Sequence, residues 1–346
     1  MVGRLEDAAA LVAARTEKSQ KEHDGMALHI WGLTASLVEV AAGRLSSARA
    51  TLERLPTPQR TGPTFVDARR MFILAEVAAR TEDRTLLLEK VSEAREAHSN
   101  GSPAVRRDAA AVLGLAAWQR DDLHEALRWL GGDISLLVTP IVPNVLDQLT
   151  LTARVASAAG DAGLRARLLD AVAVLEREQP GIPLFATVAQ HTRGILERDA
   201  EALVTAAGLL ESSARPLLYA SAAEDAGAEF ARTDRADRAL DQLNAAFDTF
   251  VECEALADAR RVGRALRRLG VERRIVMHPR AKTGWDSLTD SELTVIHLIA
   301  EGATNRSVAH QLHLSPHTVK THVHNAFAKL GITSRAQLTQ LMRRSD

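Results

Sequence analysis

The chain is predicted to be all-α, and three features of its 346 residues carry that prediction. Aromatic residues make up only 3% while Ala and Leu dominate, which favours helices packed through small and branched side chains over β-rich architectures. Through residues 1 to 270, apolar stripes at helical spacing alternate with short Gly, Arg or Asp turns. Nearer the C-terminus, capping residues, apolar stripes and stop signals follow one another at the pitch of four short helices.

The turns of the first region fall near Gly43-Arg44, Arg80-Thr81-Glu82, Arg120-Asp121-Asp122, Gly160-Asp161, Arg198-Asp199 and Thr233-Asp234. Their spacings of 35 to 40 residues lie in the range of helix-pair repeats. In AAGRLSSARATLERL (41 to 55), AAWQRDDLHEALRWL (116 to 130) and FARTDRADRALDQL (230 to 243), a small residue precedes the turn and an Ala-containing amphipathic helix follows it. Small residues at a crossing let two helices approach closely, and each pair leaves an apolar face for the next pair to cover. The pattern resembles a degenerate tetratricopeptide-like array; the plainer alternative is an irregular alanine-rich helical domain with evenly spaced turns. Pro56, Pro58 and Pro63 mark one loop between repeats, and Pro140 with Pro143 another. The array is expected to end at ADARRVGRALRRLG (257 to 270), a basic helix closed by Gly270, which sets the first domain at 1–270. Residues 271–287, with Pro279, Gly284 and little periodicity, are expected to be a linker.

Composition narrows the function. Cys253 is the single cysteine, so there is no intramolecular disulfide framework and no multi-cysteine metal site. The start, MVGRLEDAAALVAARTEK, lacks the apolar core of a signal peptide, and no apolar run of 18 residues follows, so a soluble cytoplasmic protein is expected. The net charge of -1 hides an asymmetry: residues 281–346 carry a net of +2 and the first 280 a net of -3. From Gly302 to Ser345, 44 residues, there is no Asp or Glu. Acids are excluded in this way from a surface that approaches a polyanion.

The last domain, 288–346, reads as four helices. Thr289 is placed to cap the first, with Glu292 at its third position and Leu288 and Leu293 as a hydrophobic staple. Leu293, Ile296, Ile299 and Ala300 form its apolar face, and Gly302 stops it. Thr304 caps a second helix whose inward residues are Val308, Ala309 and Leu312. Ser315 caps a third, with Pro316 at the first helical position. Along that helix, 315–330, Val319, Val323, Ala326 and Leu330 face inward, while His317, Lys320, Thr321 and His324 form a polar, cationic outer face. Gly331 ends it, and Ser334 with Gln337 can open a fourth helix with the stripe Ala336, Leu338 and Leu341, Arg343 and Arg344 lying near the negative end of its dipole. Four short helices in about 60 residues, two of them joined by the tight turn at His313-Leu314-Ser315, have the layout of a helix-turn-helix domain with the third as recognition helix.

The stretch LTDSELTVIHLIAEGATNRSVAHQLHLSPHTVKTHVHNAFAKLGITSRAQL is similar to the LuxR-type (GerE-type) helix-turn-helix domain of bacterial transcription regulators. The matching pieces include Leu288-Thr289 with Glu292, Glu301-Gly302, Thr304-Asn305, Val308-Ala309, Leu312, Thr318-Val319-Lys320 with His322, Asn325, Lys329-Leu330-Gly331 and Ser334-Arg335. With the upstream helices and Trp285, the chain resembles the C-terminal part of the large MalT-like regulators. The resemblance implies binding of double-stranded DNA in the major groove, with a fourth helix often used for dimer contact, hence a homodimer on DNA. It implies base-facing positions at Lys320, Thr321 and His324, and phosphate or positioning roles at Thr304, Asn305, Ser315, Thr318 and Lys329. The sequence departs from the family where an acid is common at Ser307, an arginine at Ser291 and a larger aliphatic residue at Ala326. The missing acid at Ser307 removes a second capping box from helix two. The helical repeats are expected to bind a protein or small-molecule effector, or to drive oligomerisation.

Other functions find less support. His310, His313, His317, His322 and His324 are split between two helices with no carboxylate nearby to orient the rings, so no metal is expected. The pairs Lys18-Ser19, Lys282-Thr283 and Lys320-Thr321 lack the glycines of a phosphate-binding loop, so neither a nucleotide cofactor nor an enzyme is expected. The nucleotide module usual in the large regulators is therefore not expected in this chain. A sigma-factor-like promoter reader would need an aromatic-rich melting domain upstream. A helical scaffold with a vestigial DNA-binding domain would have little reason to retain a cationic face.

Overall fold

The computed structural model describes residues 5–55, 64–132, 145–178, 183–211, 213–275, 288, 290–300, 302–312, 316–332 and 334–342; within these, the side chains of 145–147, 290, 291, 316–318, 321, 336, 339 and 340 lie outside the description. The described residues form eighteen helices and no strand. They fall into two compact units, 1–275 and 276–346. The proline loops at 56–63 and 140–143, most of the expected linker, Thr289, His313, Ser315 and Arg343-Arg344 lie outside the described residues.

The N-terminal unit contains α1 (Leu5–Lys21), α2 (Gly25–Ala41), α3 (Leu45–Arg54), α4 (Phe65–Thr81), α5 (Arg84–Asn100), α6 (Pro103–Gln119) and α7 (Leu123–Leu130). It continues with α8 (Val145–Ala159), α9 (Ala162–Glu178), α10 (Pro183–Glu197), α11 (Ala200–Glu211), α12 (Pro216–Arg232), α13 (Ala236–Glu252) and α14 (Leu256–Arg268). Consecutive helices turn back on one another through a single left-handed residue. Gly43, Glu82, Asp121, Gly160, Arg198 and Asp234 hold φ between 56° and 74°, at the six turns that the sequence spacing marks. His23, Ala214 and Glu254 do the same at turns the repeat spacing does not indicate. At five turns an aspartate comes next and caps the following helix. Asp24, Asp83, Asp122, Asp161 and Asp199 accept the backbone N–H three residues on, from Ala27, Leu86, Glu125, Leu164 and Ala202. Each such cap stabilises its helix by about 1 kcal/mol.

Close approach within the hairpins depends on small residues twelve positions apart. Gly114 and Ala126, Gly194 and Ala206, and Gly227 and Ala239 are all buried. A side chain at Gly114 or Gly227 would lie within 2.6 Å of Leu130 or Leu243 on the partner helix.

The two ends of this unit meet. In a linear helical array each repeat touches only its neighbours, whereas here α14 packs against α4 and α12 against α2. Gly43 sits at that closure: its φ is +74°, and a Cβ there would lie 2.5 Å from Cys253 Sγ and 2.8 Å from Pro216 Cγ. Ser46 bonds Glu254, and Arg260 reaches Glu82 at 2.6 Å. Cys253 is a packing residue, its thiol pushed up to about 12 by burial.

A chain of alternating charges links five helices across the interior. Arg80 of α4 reaches Glu76 and Asp258 at 3.2 Å each. Arg261 of α14 holds Asp258 and Glu224 at 2.6 Å each. Arg154 of α8 lies 3.6 Å from Glu224 and donates from Nε to Asp225 at 2.9 Å. His191 of α10, fully buried, ends the chain with Nε2 2.7 Å from Asp225. Burial pushes the Asp225 and Asp258 carboxyls up. Arg154 and His191 around Asp225, and Arg261 and Arg80 around Asp258, outweigh it and leave both below the ordinary aspartate range.

The C-terminal unit contains α15 (Asp290–Ala300), α16 (Asn305–Gln311), α17 (Pro316–Leu330) and α18 (Arg335–Met342). Its separate core gathers Leu288, Val295, Ile296, Ile299, Val308, Ala309, Val319, Ala326 and Leu338, with Leu293, Val323 and Leu330 packed around them. Gly302 and Gly331 take left-handed φ of +98° and +67° at the ends of α15 and α17. At that conformation a glycine stops a helix without the steric cost a Cβ would add.

Candidate nucleic-acid interface

Helix α17 is held by its apolar stripe. Val319 and Ala326 are fully buried and Val323 and Leu330 half-buried, which turns the opposite face outward. Lys320 and His324, one turn apart, are exposed on that face, as is Asn325 beside them. Thr321 follows Lys320 in the helix, but its side chain, like those of His317 and Thr318, lies outside the described residues. Lys320 and His324 enter no ion pair among the described residues. The nearest acid in sequence whose side chain is described, Glu292, is 3% exposed and turned into the domain.

Other predicted residues have structural partners. Thr304 caps α16, its hydroxyl accepting from the Ser307 N–H at 3.1 Å. Asn305 Oδ1 accepts from Arg335 Nη2 at 2.6 Å, and Arg335 Nη1 also donates to the Ala303 carbonyl at 2.8 Å. Lys329 Nζ is bound to Glu292 Oε2 at 2.6 Å, tying α17 to α15. Asn305 and Lys329 are thus engaged in holding helices together. Ser334 accepts from the Gln337 N–H at 3.3 Å and caps α18.

Sequence reasoning missed the Arg335 clamp and the Glu292–Lys329 pair. Glu292 was legible only as a capping-box acid beside Thr289; its partner stands 37 residues away. An acid placed in an otherwise apolar inward stripe was the available signal, since a buried carboxylate requires a cation. His322 is half-buried between these groups. Burial pulls its imidazole below the ordinary histidine range, Glu292 opposing and Lys329 adding to that shift. Among the described residues no group of three or more His, Cys, Asp or Glu could hold a metal ion.

The geometry meets a family pattern. Residues 286–342 match the bacterial regulatory proteins of the luxR family, and the C-terminal unit is a LuxR-type (GerE) helix-turn-helix domain. A protein of Mycobacterium bovis named "Putative HTH-type transcriptional regulator" is 32% identical over 203 residues, 55% of this chain and 21% of that protein. That match is longer than the C-terminal unit and therefore extends well into the helical one. The chain spans about a fifth of the length of this relative. The nitrate/nitrite response regulator protein homolog of Haemophilus influenzae is 46% identical over 56 residues, 16% of this chain and 27% of that protein. The transcriptional regulatory protein LiaR of Bacillus subtilis is 44% identical over 52 residues, 15% of this chain and 25% of that protein.

Proposed function

We propose that the chain is a sequence-specific DNA-binding transcriptional regulator that inserts α17 into the major groove and acts as a homodimer in the cytoplasm without catalytic activity. The observation that carries this reading is the outer face of α17, where Lys320 and His324 stand exposed in a stretch of 44 residues without an acid. Lys320, Thr321 and His324 face the bases. Thr304, Ser315 and Thr318 lie along the phosphates, while Asn305 and Lys329 position the helices that present them. Cations and helix N-termini supply affinity independent of sequence, and side chains at base edges supply discrimination. Among the described residues no helix is long and apolar enough to cross a membrane. The closed helical unit serves as the sensor or partner-binding module.

Selection of bound sequences from a random duplex library, followed by titration at increasing salt, tests the proposal. A symmetric site with half-sites about one helical turn apart, and affinity falling steeply with salt, is the expected outcome. No selectable sequence, or no salt dependence, would overturn it.

A further inference from the structure

A cleft in the N-terminal unit carries unused binding capacity. It encloses about 670 Å³ of atom-free space, part of it open to solvent, within the range of small-molecule sites. Phe72 of α4 and Phe250 of α13 are buried in its wall, and half-buried Trp118 of α6 adds a broad apolar surface. Its charged wall is the chain running through Arg80, Asp258, Arg261 and Arg154.

Two observations narrow the ligand. Each of these arginines already lies between two carboxylates of the protein, so an anion entering the cleft would compete with an ion pair away from bulk water. In the same wall the Gln148 side chain, 4% exposed, has an Nε2 without a hydrogen-bond partner. A buried donor left unpaired is costly, and an incoming acceptor removes that cost. We infer that the cleft binds a small, flat, uncharged molecule carrying a carbonyl-type acceptor, its body against Trp118, Phe72 and Phe250 and its acceptor on Gln148. The inference deepens the sensor role of this unit and rests on it only for consequences at DNA, because binding is measured without DNA.

The test titrates the full chain with 2-naphthamide and with 2-naphthoate, two probes of one shape that differ in charge, and follows binding by calorimetry. The amide is expected to bind at least tenfold more tightly than the carboxylate. Leu115→Trp, which fills the cleft from α6, is expected to lower amide affinity at least tenfold with helix content retained. Gln148→Leu is expected to lower it about tenfold while leaving Tm unchanged or raised, since the change removes a donor that pairs with nothing in the free protein. If Leu115→Trp does not fold, Gln148→Leu decides. Absence of amide binding up to millimolar concentration, carboxylate binding as tight as the amide, undiminished binding in either folded variant, or unfolding of Gln148→Leu would each overturn the inference. Amide binding that leaves DNA affinity unchanged would refute the sensor role while leaving the site intact.

Discussion

In the N-terminal unit Arg80, Arg154 and Arg261 each stand between two carboxylates, whereas in the C-terminal unit Lys320 projects from α17 with no ion pair among the described residues. The first arrangement neutralises cations inside the protein and closes an array whose ends would otherwise be free. The second leaves cationic charge unspent for an outside partner. The same residue class thus serves cohesion in one unit and recognition in the other, and local acid content decides which: two acids on α12, Glu224 and Asp225, are adjacent in sequence, while α16, α17 and α18 contain none.

The most disruptive way to break this contrast is Arg154→Met. It leaves Asp225 and Glu224 short of a cation, and a loss of about 3–5 kcal/mol is expected, read as a lowered midpoint in chemical denaturation of the full chain. Acid should act on the same groups. Asp225 and Asp258 hold folded-state pKa values below the roughly 3.9 of an unfolded aspartate, so their contribution is present above about pH 4 and is lost as pH falls through the folded values. A denaturation series from pH 6 to pH 3 measures that decline.

Lys329→Met should cost less, about 1–3 kcal/mol, by leaving the buried Glu292 carboxylate without its lysine; adding Glu292→Gln should recover part of the loss. A double-mutant cycle checks it. Lys320→Ala is expected to leave thermal stability unchanged, weaken all duplexes by a similar factor and reduce the salt slope by about 1. His324→Ala should instead change base preference in the library selection. Equal losses at every sequence for both variants would remove the distinction between phosphate and base contacts.

The smallest effect should come from His322. Its folded-state pKa lies below the roughly 6.5 of an unfolded histidine. Its neutral form therefore favours the folded domain above that value, and this contribution is lost as pH falls through 6.5 toward the folded value. Thermal unfolding of the C-terminal unit should soften between pH 7.5 and pH 5.5, and His322→Gln should flatten that dependence.

Six of the turns in the helical unit were legible because Gly, or an acid followed by a capping aspartate, recurs at repeat spacing. The turns at His23, Ala214 and Glu254 were not, since their residues are ordinary and fall midway between those positions. In the C-terminal unit the inward stripe of α17 was legible down to Val319 and Ala326, and the outward placement of Lys320 and His324 followed from it. The engagement of Asn305 and Lys329 was hidden because their partners, Arg335 and Glu292, belong to other helices.

By itself the sequence determined the helices, their caps and their buried faces, since these depend on residues within four positions of one another. The tertiary structure alone decided that the helical unit closes, that Arg80 meets Asp258 across 178 residues, and that Gln148 ends in a cleft wall without a partner. Long-range pairing depends on the sum of many small turns between helices, and no local pattern records that sum.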